Sequence, residues 1–291
     1  MHRSEARAGY LMLLPFAVIF VVTVIAPLVY AAYLSLYRHR IIGGTVFVGF
    51  ANFTRALTDP MFLSGIGRVA LFFVVQVPTM LALSLALALV IDAGVVYLKR
   101  FVRLAVFVPY AVPAVVAALM WGYLYGADYG PFAQWARALS LPVPQFLSES
   151  TILFSIMNIG AWSYVGYNMM IMYAALRTVP TELYEAARID GANELRIARH
   201  IKIPALRPAL ILTGVFSVIG AFQLFNEPQI MSLLAPAVIG SGFTPNLYAY
   251  HLAFQSKDVN YAAAVAFLLG FVIIVVSYVF QLSTRRKDVE S

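Results

Sequence analysis

The sequence predicts an all-α membrane protein that crosses the bilayer six times. Three observations carry that expectation. Apolar side chains make up 62% of the 291 residues and charged ones 11%, with a mean hydropathy of +0.84, where a soluble domain carries about 45–50% and about 25%. The charges are also bunched, leaving charge-free runs at 8–37, 69–91, 104–127, 150–176, 208–226 and 259–284. Finally, Lys and Arg are shared unevenly between the segments that join those runs. Backbone in hydrocarbon must hydrogen-bond to itself, so helices are the expected form, and about 20 residues cover the layer of about 30 Å.

The expected spans are 10–36, 69–91, 104–125, 152–175, 209–234 and 260–282, within one transmembrane domain over 1–291. The first is far too long for a signal-peptide core and reads as an uncleaved span. The second is uninterrupted. In the third, Pro109 and Pro113 predict a kink of the kind membrane helices tolerate. The fourth carries Trp162, Tyr164, Tyr167 and Asn168. The fifth is interrupted by Glu227 but reads as continuing to Leu234, and the sixth is uniformly apolar.

With the N-terminus inside, the inner segments hold Arg3, Arg7, Lys99, Arg100, Arg103, the basic residues of 177–207, and Arg285, Arg286 and Lys287. The outer ones hold Arg38, Arg40, Arg55, Arg68, Arg137 and Lys257. That bias puts both termini in the cytoplasm. The net charge of +7 lies at span ends rather than in one patch, which argues against nucleic acid. There is no cysteine, so thiolate chemistry and disulfides are excluded. The histidines lie in separate segments without metal-ligand spacing, and neither a catalytic group nor a resident cofactor is expected.

The loop 177–208 is the densest in charge. Pro180 and Thr181 suit a helix start. Glu182 and Glu185 would then face the positive end of the helix dipole, and Arg196, Arg199 and Lys202 the negative end. Gly191 permits a sharp turn between two short helices, and Pro204 and Pro208 are expected to end the element. A helix-turn-helix on the cytoplasmic membrane surface follows. Ala186, Ala187 and Ala192 leave it open to close approach by a soluble partner.

The pattern Glu185-Ala186-Ala187, Asp190-Gly191 and Ile203-Pro204 resembles the EAA loop of ABC importer permeases. Further motifs resemble the carbohydrate branch of that family, the maltose and glycerol-phosphate type. They are Phe47-Val48-Gly49-Phe50-Ala51-Asn52-Phe53 with Asp59-Pro60 and Phe62, and Arg103 with Phe107-Val108-Pro109, Pro113 and Trp121. Trp162, Gly166 and Leu176 to Pro180 follow, then Phe225-Asn226-Glu227, and Tyr248-x-Tyr250 running to Tyr261-Ala262-Ala263. The resemblance covers about 10–284 and implies the type I permease fold in a bacterial inner membrane. It implies that Glu185, Ala186, Ala187, Asp190, Gly191, Ile203 and Pro204 contact a cytoplasmic ATPase. Two ATPase copies, a second permease subunit forming a heterodimer, an extracellular substrate-binding protein and a small sugar substrate are implied with it. ATP and Mg would be used by the ATPases, since this chain has no Gly-x-x-x-x-Gly-Lys-Ser/Thr loop. One departure stands out: the family often carries Gly-Gly-Pro after span five, and residues 233–245 lack it.

Ionisable and polar groups inside spans are costly and mark pathways. Glu227 is an acid within a span, and Gly220, Gln223 and Glu227 at i, i+3, i+7 would share a helical face, with Asn226 on its flank. Ser217 is a further candidate. Tyr164, Tyr167 and Asn168 form a second face in span four. Amides and carboxylates suit sugar hydroxyls, and aromatic rings suit sugar faces; the alternative role is packing between subunits. Other functions consistent with the residues are an amino-acid or peptide ABC permease, and a proton-driven carrier with Glu227 as relay. A membrane enzyme would need a catalytic dyad that the sequence lacks.

Overall fold

The computed structural model describes residues 2–40 and 42–285, so Arg286 and Lys287 lie outside the described residues. The chain opens with α1 (His2–Phe20), a π-helical turn (Val21–Ile25) and α2 (Ala26–Ser35), which form one long helix. Pro27 explains the π turn: it has no N–H for the carbonyl of Thr23, and the ladder slips to Ala26 N–H on the Val21 carbonyl. The helix is followed by an antiparallel hairpin of β1 (Tyr37–Arg40) and β2 (Gly44–Phe47). The fold is therefore not purely helical, and the basic cluster at Arg38 and Arg40 sits in a strand. Buried Asn52 braces the hairpin, donating to the Ser35 and Tyr37 carbonyls at 2.8 Å each.

After α3 (Ala51–Thr58), the second span is α4 (Pro60–Asp92), nine residues longer at its start than the charge-free run. Pro60 occupies the first turn and Asp59 caps it, Oδ1 accepting from Met61 N at 2.9 Å. The third span is broken rather than kinked: α5 (Lys99–Ala111) and α6 (Ala114–Leu124) meet at 98°. Pro113 forces Val112 into an extended conformation, which no continuous helix can absorb. A short α7 (Pro131–Ala138) leads to α8 (Ile152–Leu176), which matches the fourth expected span.

Helices α9 (Thr181–Ile189) and α10 (Glu194–Ile197), a π turn (Ala198–Lys202) and α11 (Ile203–Ala205) make up the charged loop. Pro180 rather than Thr181 holds the cap position, without a side-chain bond. Pro204 and Pro208 begin α11 and α12 instead of ending the element, because proline is tolerated where the N–H has no helical partner. The fifth expected span is two helices, α12 (Arg207–Phe222) and α13 (Asn226–Leu234). Pro228 cannot donate to the carbonyl of Leu224, and Thr244 Oγ1 does so instead at 3.1 Å. The chain closes with α14 (Pro245–Tyr250), a π turn (His251–Gln255) and α15 (Val259–Arg285).

Among the described residues, three helices are long and apolar enough to cross a membrane (Tyr10–Ser35, Pro60–Asp92 and Val259–Ser283), or five if each bent pair counts as one span. The 25-residue α8 falls outside that set because its polar and aromatic side chains dilute it; it is also the core of the fold. Ser84 Oγ bridges α4 to α8 by donating to the Val165 carbonyl at 3.0 Å. Gly166 lets the backbone of α5 reach α8: a Cβ there would collide with the Val106 carbonyl. Ile156, Ile159, Ala117, Phe72 and Met231 fill the space between α4, α6, α8 and α13.

Candidate functional site

At the break between α12 and α13, the chain turns against α4 and α8 and leaves a cavity of about 320 Å³. Ser217, Gln223, Asn226 and Glu227 line it from α12 and the break, and Tyr164, Tyr167 and Asn168 from α8. The seven residues singled out as pathway candidates thus share one space. The helical-face argument for Gly220, Gln223 and Glu227 does not hold, since Gln223 ends α12 and Phe225 is non-helical. The break itself brings Asn226 and Glu227 round to the cavity.

A second cavity of about 360 Å³ occupies the crook of the α5–α6 bend and shares Ala114, Tyr164 and Glu227 with the first. Tyr110 stacks on Tyr167 with centroids 4.5 Å apart and meets Tyr164 edge-on at 5.9 Å. The result is an aromatic wall continuous across both spaces. Among the described residues, Glu227 is the one carboxylate lining either cavity, and no Lys, Arg or His lines them.

One further amide, Gln76, joins Asn168 in the polar lining. Gln76 of α4 and Asn168 of α8 are buried, and each turns its N–H toward the same thioether, Met80 Sδ, at 3.5 and 3.6 Å. Sulfur is a weak acceptor, so a ligand hydroxyl would compete well for the Gln76 N–H, whereas Asn168 Nδ2 is also held by the Tyr164 carbonyl at 3.0 Å. The sequence reading missed Gln76 and Tyr110. Gln76 had a signal: it is the one amide in the charge-free run 69–91. Tyr110 had none, because its position depends on the break at Val112.

The charged loop lies apart from the cavity. Gly191 turns the chain at φ +79° between α9 and α10, and Asn193 caps α10 by accepting from Arg196 N at 2.9 Å. Glu185, Ala186, Asp190, Gly191 and Pro204 are exposed, while Ala187 and Ile203 are half-buried. Leu183, Ile189 and Leu195 are exposed beside them, so the element presents an apolar surface to its surroundings. A chain of ion pairs crosses the element. Arg188 binds Glu194 at 2.8 Å and holds that carboxyl below its usual range. Lys202 reaches Glu194 at 3.6 Å and Asp92, the last residue of α4, at 2.8 Å.

Residues 84–289 match the family model described as "Binding-protein-dependent transport system inner membrane component". The arabinooligosaccharides transport system permease protein AraP of Bacillus subtilis (strain 168) is 30% identical over 281 residues, covering 95% of this chain and 88% of that one. The lactose transport system permease protein LacF of Rhizobium radiobacter is 29% identical over 290 residues, 96% and 95% of the two chains. The trehalose/maltose transport system permease protein MalF of Thermococcus litoralis is 28% identical over 272 residues, 93% and 90% of the two chains. Among solved structures, a chain of a bacterial ABC transporter involved in import of the acidic polysaccharide alginate superposes with a TM-score of 0.83. It is 19% identical and covers 97% and 96% of the two chains.

Proposed function

Since the chain belongs to the family of binding-protein-dependent transport system inner membrane components, we propose that it is the permease subunit of an ATP-driven sugar importer, forming half of the translocation pathway. The observation that carries this reading is the single cavity that gathers Glu227, Asn226, Gln223, Ser217, Tyr164, Tyr167 and Asn168. Its tyrosine rings suit the C–H faces of a sugar and its amides suit the hydroxyls. Relatives named for arabinooligosaccharides, lactose and trehalose/maltose point to the same chemistry. A lone carboxylate with no cation in the lining disfavours an amino acid or peptide carboxylate, and disfavours an acidic sugar of the alginate kind. A neutral sugar fits best.

On this reading the loop 177–208 docks a soluble ATPase through Glu185, Ala186, Ala187, Asp190, Gly191, Ile203 and Pro204, with Leu183, Ile189 and Leu195 as its apolar contacts. Two ATPase copies supply the ATP and Mg chemistry, a second permease completes the pathway, and an extracellular binding protein delivers the sugar. The excess of Lys and Arg on the loop side supports six crossings with both termini cytoplasmic, α8 being the span too polar to stand in lipid unaccompanied. The assembled complex in proteoliposomes, supplied with its binding protein, should take up a neutral oligosaccharide only with ATP inside. Uptake driven by a proton gradient without any ATPase would favour the carrier reading and overturn this one.

A further inference from the structure

The ion pairs of the loop form a chain that leads from α9 to the end of α4. Arg188, near the end of the Glu-Ala-Ala helix α9, holds Glu194 of α10 at 2.8 Å. Lys202 stands 3.6 Å from the other oxygen of Glu194 and 2.8 Å from Asp92. The Lys202 and Asp92 side chains are only 4% and 8% exposed, so this pair is sequestered where the Arg188–Glu194 pair is open to solvent. A carboxylate at the C-terminal end of a helix opposes the helix dipole, and a buried one without a cation is strongly unfavourable. Asp92 is tolerable at the end of α4 because Lys202 is there. The ammonium also sits 5.1 Å from the centre of the Tyr184 ring, which fixes it against α9 from a second side.

Helix α4 runs without interruption from Asp92 to the cavity, where it contributes Met80, Gln76 and Phe72. At 1.5 Å per residue, Met80 lies about 18 Å from Asp92 along the axis. Pro78, between Gln76 and Met80, removes one rung of the ladder at the cavity wall. A displacement applied at Asp92 would therefore be carried rigidly and absorbed where the polar lining is.

We propose that Lys202 is a positioning residue for transport: through its pair with Asp92 it transmits movement of the loop to α4 and so to the cavity. The inference rests on the loop being the ATPase-docking element. Movement arriving at α9 passes through Arg188 and Glu194 to Lys202, and from there to the end of α4. Apolar packing of buried Leu206 against Ala88 and Ile91 holds the two elements together without directing the force.

The chain has no cysteine of its own, so a single introduced cysteine is its only thiol. In the assembled importer, Ala187→Cys tests docking by crosslinking to the ATPase, and Ala114→Cys reports the cavity by its labelling rate with a membrane-impermeant maleimide. ATP with vanadate should change that rate in the otherwise unaltered chain. Lys202→Met and Asp92→Asn should keep the crosslink but reduce the ATP-dependent change on the order of tenfold, within the range of coupling between linked sites. Lys202→Arg, which keeps a cation facing both Asp92 and Glu194, should retain much of it. An ATP response in Lys202→Met equal to that of the unaltered chain would overturn the proposal. Loss of the crosslink in both single variants would also overturn it, since the pair would then merely fold the loop. Failure of Ala187→Cys to crosslink in the otherwise unaltered chain is a different result, which would remove the docking reading itself.

Discussion

Tyr261 Oη donates to Asp59 Oδ2 at 2.7 Å, joining residues 202 positions apart in the chain. Tyr248 donates to the same oxygen at 2.6 Å, and the Arg55 guanidinium stacks 3.7 Å from the centre of the Tyr261 ring. One carboxylate thus ties the start of α4 to α14 and α15. Two motifs noted separately in the sequence, around Asp59-Pro60 and Tyr248 to Tyr261, are halves of one structural joint.

That joint should make stability depend on pH. Burial alone would raise the Asp59 carboxyl, but the hydrogen bonds from Tyr248, Tyr261 and the Met61 and Phe62 amides outweigh it and hold it below the usual carboxylate range. A depressed carboxylate contributes stability that is complete above its unfolded value, near pH 4, and is lost as pH falls through the lower folded value. Asp59→Asn should lower the Tm of the purified protein at neutral pH. The gap to the unaltered protein should close in acid. A gap that stays constant down to about pH 3 would show that the charge of Asp59 contributes nothing.

The close approach of α5 to α8 gives a second expectation. Gly166→Ala places a methyl against backbone, the Val106 carbonyl, which cannot rotate away as a side chain could. The cost should be about 1–3 kcal/mol, the range for overpacking. Gly220→Ala, whose Cβ meets nothing within 4 Å, serves as the control. Thermal unfolding in detergent compares them; equal Tm values would mean that α5 moves aside freely.

What was legible in the sequence and what was not divides along physical lines. Span positions were readable because hydrophobicity and charge are local to each run, and α8 and α15 fall almost where the charge-free runs put them. The turn at Gly191 was readable for a similar reason, as glycine carries its own conformational license. The breaks at Val112 and Gln223 to Phe225 were underestimated, because a proline in a membrane helix can kink or break it. The outcome depends on distant groups that take up the freed carbonyls, as Thr244 does for Leu224. The cavity residues were found partly for a wrong reason, since Glu227 arrives by the break rather than by helical phase. Lys202 was counted only among the basic residues of the loop, and Asp92 was not singled out. Their pairing joins segments 110 residues apart and leaves no local trace.

The loop carries a third expectation. Gly191 has φ +79° and open space around the position of a Cβ. Gly191→Ala should therefore cost about 1–2 kcal/mol of local strain and leave coupling measurable, whereas Gly191→Pro cannot adopt a positive φ at all. The proline variant should insert and assemble its spans normally yet lose most binding-protein-stimulated ATP hydrolysis in the complex. Full stimulation with Gly191→Pro would separate this turn from energy coupling.

The last expectation concerns Glu227, which faces both cavities without a cation among the residues that line them. If it accepts hydrogen bonds from a passing sugar, each is worth roughly 1.5–3 kcal/mol as a bond to a charged group. Glu227→Gln keeps the shape and one acceptor, so uptake per assembled complex should fall modestly, whereas Glu227→Leu should lose on the order of tenfold or more. A packing role predicts a different pattern: Glu227→Leu would lower the yield of complex, and whatever assembled would transport normally. The two quantities must be measured separately, complex by quantitative blot and uptake by labelled neutral oligosaccharide. The lone carboxylate adds a sign to the test. Removing it should relax discrimination against a uronate-bearing sugar while weakening uptake of the neutral one, and no packing role produces that opposition. Unaltered uptake per complex in Glu227→Leu, with unchanged discrimination, would take Glu227 out of the pathway.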